Sequence, residues 1–352
     1  MDKEKIRSAI DAIDYEIVKL LSRRMEHALR LKRLKKDVLE PGREREVIEH
    51  VRSFSHHTAR PDFVERLYGM IMDESRRIQK EDVRLVGFQG EHGAYSEMAA
   101  IRYDPGLVPI PCASFHEVFS LVEAGQLDFG IVPVENSLEG AVMEVNDLLT
   151  ETGLRVTGEV SIPVHHCLLA LPEQDYRDLR VVYSHPQALA QCRESLGRHR
   201  LEARPFYDTA GAALMLRERK PAGAAVIASR LCADLYHLEV LNESMEDNDS
   251  NATRFLVLSK AAAAQGGDKC SVVFTCAHRP GGLFSVLKVL SDASVNMTRI
   301  ESRPLRRDPG RYAFFVDFEG DDRDDRVKGV LEEMKERSTG FTFLGCYKGD
   351  RT

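Results

Sequence analysis

The chain has 352 residues, of which 43% are hydrophobic and 30% are charged, and its formal net charge is −7. The length favours two or three domains, and the acidic balance gives no indication of a nucleic acid or an anionic membrane as partner. Seven scattered cysteines lack the spacing of a zinc site or a disulfide framework, and no apolar run is long enough for a membrane span. We therefore expect a cytoplasmic protein with reduced thiols, without a metal or a cofactor.

Residues 1–82 have a helical apolar period and few helix breakers, which predicts helices over about residues 3–38, 43–55 and 61–80. The first helix would be about 50 Å long. Two shorter helices cannot cover a helix of that length, so we expect a homodimer or a larger homo-oligomer.

Several cations and polar residues lie on these predicted helices. Arg24 and Lys35 share one face of the first helix, with Cα atoms about 16 Å apart. Arg7 lies about 25 Å before Arg24, too far for it to hold one small ligand together with Lys35. Arg7 is therefore either a solvated charge or part of a site in a partner subunit. Ser75 and Gln79 place two polar side chains where the buried face of the third helix should continue.

This segment resembles the all-helical chorismate mutase family, which forms an intertwined dimer. Its reaction is pericyclic and needs a bound conformer and stabilised charge rather than an acid or a base. The resemblance implies that Arg24 and the partner's Arg7 bind the carboxylates of chorismate. It also implies that Lys35 and Gln79 donate to the ether oxygen and that Glu44 accepts from the ring hydroxyl. Arg43 and Ser75 would complete the site. A helical domain kept only for dimerisation is the alternative, and the full cationic set argues against it.

From residue 83 to about 260, short apolar runs alternate with helical stretches, which predicts an α/β domain with largely parallel strands. Polar motifs at 134–137, 183–187 and 253–255 each lie at the edge of an apolar run. Ligands of such sheets bind at the carboxyl ends of strands. We therefore expect the three motifs to form one cleft for a compact polar anion.

Residues 83–260 resemble prephenate dehydratases in seven ordered motifs, which lie at 87–96, 132–137, 158–160, 165–168, 184–191, 208–213 and 251–255. The resemblance implies two α/β lobes around a cleft, as in type II periplasmic binding proteins. We place lobe one at 83–160 plus 245–260, and lobe two at 161–244. The implied reaction removes CO2 and hydroxide from prephenate and gives phenylpyruvate.

The residues expected to carry this reaction are mostly neutral hydrogen-bonding groups: Thr253, Glu135, Asn136, Ser184, Gln191 and Thr209. Such groups bind a carboxylate without stabilising the ground state as strongly as an arginine pair, which would oppose decarboxylation.

Some of these residues have other possible roles. Glu135 either orients Asn136 or supplies the proton, whereas Arg254 is expected to form a structural ion pair. Thr253 could instead cap the strand edge, Ser184 could cap a helix, and Asn136 could serve a turn. The adjacent histidines at 165–166 would point to opposite faces of a strand, so we predict no metal there.

A small-residue linker at 261–268 precedes a βαββαβ order over residues 269–352, which is typical of a ferredoxin-like domain. Glycines at a helix start allow close approach of a carboxylate. This segment resembles the ACT regulatory domain, which implies that L-phenylalanine binds between paired domains at Gly281, Gly282, Leu283, Asn296, Glu301, Ser302 and Arg303. The alternative is a dimerisation module without a ligand.

Together, the resemblances imply an enzyme of phenylalanine biosynthesis that converts chorismate to prephenate and prephenate to phenylpyruvate, with feedback by L-phenylalanine. Two alternatives stay open at this point. One is an arogenate dehydratase, or an enzyme that accepts both substrates. The other is an amino-acid-binding regulator that has lost catalysis, and the intact motifs around Thr253, Ser184 and Asn136 count against it.

Overall fold

The computed structural model describes residues 3–34, 41–54, 58–172, 174–263, 266–305 and 311–350. The chain divides into two compact units between Val83 and Arg84. None of the helices in these ranges is long and apolar enough to cross a bilayer. All seven cysteines lie within these ranges and none forms a disulfide.

The first unit is helical. Its helices are α1 (Lys3–Lys32), α2 (Pro41–Ser53) and α3 (Pro61–Lys80). Pro61 occupies the first turn of α3, where its fixed φ favours helix initiation and its missing N–H costs nothing. The third helix packs against both others, and the buried apolar side chains include Ala28, Leu29 and Ile71.

The first helix ends earlier than the predicted residue 38. It stops at Lys32, after 30 residues or about 45 Å, and a turn follows at 33–34. Its basic end is tied to the chain beyond α3: Lys32 Nζ donates to the Glu81 carbonyl at 2.7 Å, and Arg33 Nη2 donates to the Val83 carbonyl at 3.0 Å. These bonds favour an end at this point.

Two mixed sheets follow in the second unit. The first lobe contains β1 (Arg84–Gln89), α4 (Tyr95–Tyr103), β2 (Leu107–Cys112), α5 (Phe115–Glu123), β3 (Phe129–Asn136), β4 (Gly140–Ala141), α6 (Met143–Glu151) and β5 (Arg155–Pro163). The second lobe contains β6 (Cys167–Ala170), β7 (Val181–Ser184), α7 (Pro186–Gln191), α8 (Arg193–His199), β8 (Glu202–Pro205), α9 (Thr209–Arg219), β9 (Ala224–Ala228), α10 (Arg230–Tyr236) and β10 (Glu239–Asn242). The chain then returns to the first lobe as β11 (Ala252–Ser259).

The prediction of largely parallel strands is wrong for these sheets. Their orders are β2-β1-β3-β11-β5 and β10-β6-β9-β7-β8. Strand β1 is parallel to β2 and β3, and β7 is parallel to β8 and β9. In contrast, β11 is antiparallel to β3 and β5, and β6 is antiparallel to β9 and β10. The reason is the double crossing of the chain between lobes. A strand that re-enters a sheet from the cleft runs against the strands already there.

The C-terminal domain confirms the predicted βαββαβ order. Its elements are β12 (Lys269–Thr275), α11 (Gly282–Asp292), β13 (Met297–Pro304), β14 (Tyr312–Glu319), α12 (Asp325–Arg337) and β15 (Gly340–Tyr347), with the antiparallel sheet order β13-β14-β12-β15. Gly281 has φ 78°, and a Cβ on Gly282 would lie 2.2 Å from the Ala277 carbonyl oxygen. Both positions that begin α11 therefore require glycine.

Candidate active sites

A cavity of about 460 Å³ is lined by residues from both lobes. Asn136 and Thr253 lie at its first-lobe side, where β3 and β11 pair and these two residues are directly opposite each other. Gln191 at the end of α7 and Thr209 at the start of α9 line it from the second lobe. The cleft predicted from the motifs is thus formed by two adjacent strands and two helix ends.

Asn136 connects the two strands at the cavity. Its Nδ2 donates to Thr253 Oγ1 at 2.9 Å and to Asn251 Oδ1 at 2.8 Å. Its Oδ1 accepts from the backbone N–H groups of Leu138 at 3.0 Å and Glu139 at 3.1 Å. The amide is 7% exposed and fully hydrogen-bonded, so its position is fixed before any ligand enters.

Ser184 does not line the cavity, although it ends the strand that precedes the lining residues His185 and Gln187. Its side chain is fully buried, and Oγ donates to the Ile227 carbonyl at 2.6 Å. The hydroxyl hydrogen is therefore used within the second-lobe sheet.

Glu135 also lies outside the cavity lining. Successive residues of a strand point to opposite faces, so the neighbour of Asn136 points away from the cavity. Its carboxylate is 45% exposed and lies 3.9 Å from Arg254 and 3.6 Å from Arg299. This position fits an orienting role better than direct proton transfer.

Neutral groups dominate the cavity lining. None of the described residues that line it is Arg or Lys. Burial raises the pKa of Asp208, whose Oδ1 caps α9 by accepting from the Gly211 N–H at 2.7 Å. Burial lowers the pKa of His166. Both shifts favour the uncharged form of the side chain.

Among the cavity residues that the sequence did not single out are Tyr95, His166 and Asp208. Each lies inside a motif that was recognised, at 87–96, 165–168 and 208–213. His166 was considered only as half of a possible metal pair. The sequence feature that could have indicated a site role is the position of His166 immediately before the buried strand β6, where the chain crosses between the lobes.

In the helical unit, the structure buries two of the predicted polar residues on α3. Ser75 and Gln79 are each 7% exposed, and Gln79 Nε2 donates to Ser75 Oγ at 3.1 Å. On α1, Nη1 of Arg24 is buried and has no hydrogen-bond partner among the described residues. A buried guanidinium nitrogen without a partner is costly, which suits a site that an anion completes.

The other predicted residues of this unit are more open. Arg43 pairs with Glu46 at the surface, with a side chain that is 66% exposed, and Arg7 is exposed. Glu44 accepts from Arg76 at 2.9 Å, a partner that the sequence reasoning did not identify. Lys35 lies outside the described residues.

A buried ion cluster joins the first lobe to the C-terminal domain. Arg254, next to Thr253 on β11, donates through Nε to Glu159 at 2.7 Å and through Nη2 to Asp317 at 2.6 Å. Burial by itself would raise the pKa of Asp317, but the positive charges of Arg254 and Arg299 lower it below its ordinary value. Arg254 therefore forms the structural pair that was expected, and its partner Asp317 belongs to the C-terminal sheet.

The residues predicted to bind phenylalanine lie at the start of α11 and on or just before β13. Arg303 is held by Asp147 of α6, at 2.7 Å from Nε and 3.1 Å from Nη2. A second cavity, of about 750 Å³, is lined by Asn296 but by none of the other six predicted residues, all of which are described. Gly281, Gly282 and Leu283 begin α11, while Glu301 and Ser302 lie on β13.

Comparison with known proteins gives three family matches in chain order. Residues 6–80 match chorismate mutase type II, residues 86–263 match prephenate dehydratase, and residues 271–336 match the ACT domain. A bifunctional chorismate mutase/prephenate dehydratase of Neisseria gonorrhoeae is 34% identical over 347 residues, which cover 97% of this chain and 95% of that protein. The chain belongs to the bifunctional chorismate mutase/prephenate dehydratase family. It is thus an enzyme with a mutase domain and a dehydratase domain, and the family and fold expected from the motifs are confirmed.

Other relatives cover about three quarters of this chain. An arogenate dehydratase/prephenate dehydratase of Arabidopsis thaliana is 39% identical, covering 76% of this chain and 73% of that protein. A solved prephenate dehydratase of Arthrobacter aurescens in complex with L-Phe is 32% identical with a TM-score of 0.69, covering 75% of this chain and 89% of that one. A solved structure described as a quorum quenching acylase, GqqA, is 35% identical with a TM-score of 0.70. The match covers 76% of this chain and 98% of that one.

Proposed function

We propose that this protein converts chorismate to prephenate and prephenate to phenylpyruvate in cytoplasmic phenylalanine biosynthesis, with feedback by L-phenylalanine. The domains we assign are a mutase domain at 1–82, a dehydratase domain at 83–260 and a regulatory domain at 269–352. The observation that carries the dehydratase assignment is the two-lobed cavity in which Asn136 donates to Thr253 while none of the described lining residues is Arg or Lys.

The dehydratase step consumes one proton. Prephenate loses CO2 and hydroxide together, and the proton converts the departing hydroxide to water while the ring becomes aromatic. Thr253 Oγ1 accepts from Asn136 Nδ2, so its own hydroxyl hydrogen stays available to the substrate hydroxyl, and Thr253 regains a proton from solvent after the reaction. Gln191 and Thr209 supply neutral donors from the second lobe, where a substrate carboxylate can be bound without a formal counter-charge.

The mutase site needs a second copy of the chain. Ile6, Ile10, Ile13, Ile17 and Leu20 form a stripe on α1 in which each side chain is between 43% and 59% exposed. A long apolar stripe of this kind is covered by a partner in stable proteins. Pairing two α1 helices would bury the stripe and bring the partner's Arg7 toward Arg24 of this chain, consistent with a shared dicarboxylate site.

Regulation by phenylalanine is supported by the junction between the domains. The solved relative from Arthrobacter aurescens contains L-Phe. In this chain, β13 of the ACT domain contacts the dehydratase through Arg299 and Arg303, while Arg254 links Asp317 to the strand that carries Thr253. A ligand that shifts the ACT domain therefore acts on the catalytic strand, and substrate must weaken phenylalanine binding by the same factor.

A second candidate substrate is arogenate, because the Arabidopsis relative is named for both activities. Arogenate differs from prephenate by an amino group in place of the side-chain keto group. The purified protein should be assayed with each substrate at matched concentrations. If kcat/KM is higher for arogenate than for prephenate, arogenate is the substrate and the reaction type is unchanged.

The decisive experiment follows phenylpyruvate formation from prephenate and loss of chorismate in the same preparation. We expect Thr253→Ala to lower dehydratase kcat by roughly a hundredfold or more, since a positioned proton donor contributes about 10²–10⁴-fold. Thr253→Ser keeps the hydroxyl and is the matched control. Mutase activity should not change, and an equal loss of both activities in Thr253→Ala would contradict the assignment.

A further inference from the structure

A row of side-chain hydrogen bonds runs across the dehydratase cavity, and its direction is set by the backbone. The N–H groups of Leu138 and Glu139 can only donate, and both point at Asn136 Oδ1. The other end of this amide must therefore be its NH2 group. That group donates to Asn251 Oδ1 at 2.8 Å and to Thr253 Oγ1 at 2.9 Å.

The same reasoning fixes the next amide. Since Asn251 Oδ1 accepts from Asn136, Asn251 Nδ2 is the donor to Gln191 Oε1 at 3.0 Å. Gln191 Nε2 then donates to the carboxylate of Glu139 at 3.1 Å. Gln191 Oε1 also lies 2.9 Å from His166 Nε2. An amide oxygen only accepts, so His166 must carry a hydrogen on Nε2.

The second ring nitrogen of His166 meets a hydroxyl group that has two acceptors. His166 Nδ1 lies 3.0 Å from the Tyr95 hydroxyl oxygen, which is also 2.6 Å from the His165 carbonyl oxygen. Tyr95 donates its hydroxyl hydrogen to the His165 carbonyl. When the ring is protonated, Nδ1 can also donate to the Tyr95 oxygen. The Nε2–H bond to Gln191 persists in both states.

The charged surroundings of the ring leave this bond in place. Glu246 accepts from the His166 backbone N–H at 2.8 Å and pairs with His165 Nδ1 at 2.8 Å. Tyr95 and, through Gln191, Glu139 are further titratable neighbours. The ring is 2% exposed, so neither nitrogen exchanges its partner for bulk water.

We propose that His166 is a positioning residue of the dehydratase, whose Nε2–H holds Gln191 so that the amide row presents the Asn136 N–H to Thr253. This inference rests on the proposed dehydratase function. Both ring nitrogens are already engaged, so His166 does not itself deliver a proton to the substrate. His166 acts on the reaction through the side-chain amides of Gln191, Asn251 and Asn136. Each of these amides has only one orientation that is compatible with the backbone N–H donors.

Three substitutions at this position separate the hydrogen bond from packing. His166→Gln places an amide N–H near the Nε2 position, His166→Asn places one near Nδ1 instead, and His166→Phe fills the space without a donor. We expect His166→Gln to keep kcat within about threefold of the native value. The other two should lower kcat roughly ten- to hundredfold, since a buried acceptor without its donor costs about 1–3 kcal/mol.

Packing alone predicts a different order, with His166→Phe close to native and the two amides alike. That order, or equal losses in His166→Gln and His166→Asn, would overturn the proposal. Tyr95→Phe removes the hydroxyl beside Nδ1 and preserves the Nε2–H, so it should lower kcat less than His166→Asn does. If Tyr95→Phe loses as much kcat as His166→Asn, the bond to Gln191 is not the one that matters. Mutase activity of every variant reports whether the chain is folded.

A measurement independent of dehydratase activity tests the tautomer directly. In protein with ¹⁵N-labelled histidine rings, the His166 resonances are those missing from His166→Gln. We expect long-range ¹H–¹⁵N spectra to show hydrogen on Nε2 at every pH where the protein is folded. Hydrogen on Nδ1 alone would refute the inference even if prephenate proves not to be the substrate. A correct tautomer in a protein inactive on prephenate would instead count against the proposed function.

Discussion

Replacement of Arg254 by methionine tests the junction between the dehydratase and ACT domains. The guanidinium bridges Glu159 and Asp317, and the three side chains are 14%, 3% and 3% exposed. Arg254→Met keeps the apolar volume but removes the cation that is hydrogen-bonded to the buried carboxylate of Asp317, and leaves it only the charge of Arg299. Breaking a buried ion pair by removing one partner costs about 3–5 kcal/mol. Lys269 remains 2.8 Å from Glu159, so we expect a cost of about 3 kcal/mol, at the low end.

A matched control is available on the surface of the same unit. Arg230 pairs with Glu243, with side chains that are 59% and 62% exposed. Such a pair contributes about 0–1 kcal/mol, so Arg230→Met should barely change stability. The difference in stability between Arg254→Met and Arg230→Met therefore reports the effect of burying the ion pair, because both variants lose one arginine.

Urea unfolding of the full chain, followed by circular dichroism because the sequence has no tryptophan, gives the comparison. The midpoint of Arg254→Met should fall clearly below that of Arg230→Met. Adding Asp317→Asn to Arg254→Met should recover part of the loss, because the unpaired charge is removed. Equal midpoints for the two arginine variants, or strictly additive effects in the double variant, would refute the reasoning.

Three further predictions address pH, assembly and the shared mutase site. The pKa of Asp317 is lower in the folded protein than its ordinary value, so its ionised form stabilises the fold above about pH 4 and this contribution is lost as pH falls through the folded pKa. Urea midpoints should thus fall more steeply below pH 4 in the native protein than in Asp317→Asn, and parallel curves would contradict this. Ile13→Asp, at a position 59% exposed in the single chain, should shift the mass measured by light scattering toward the monomer, whereas Asp11→Asn should not. Arg7→Ala and Lys35→Ala chains should each lack mutase activity and regain some when mixed, and verified heterodimers without activity would argue against a shared site.

The sequence by itself determined the elements whose causes are local. The helical period and the proline at position 61 predicted α3 with its observed ends, and glycines 281 and 282 marked the start of α11. The ordered motifs also predicted which strands would form the cavity. Neutral polar residues at strand edges are a local property, and Asn136 and Thr253 indeed meet across β3 and β11.

Only the tertiary structure decided how each polar side chain is used. The sequence pattern places Ser184 among the candidate cavity residues. In the structure its hydroxyl donates instead to the carbonyl of Ile227, 43 positions later. Asp317 lies 63 residues beyond Arg254, and nothing in either local pattern indicates the pair. The antiparallel entry of β11 likewise depends on the chain having crossed to the second lobe and returned.

The physical reason is the range of the interactions. Periodicity and turn chemistry act between residues a few positions apart, so one strand or helix shows them in its own sequence. A hydrogen bond fixes donor and acceptor within about 3 Å, and its partner is supplied by whichever segment the fold brings there. The direction of the amide row from Asn136 to His166 therefore appears only once four distant segments have met.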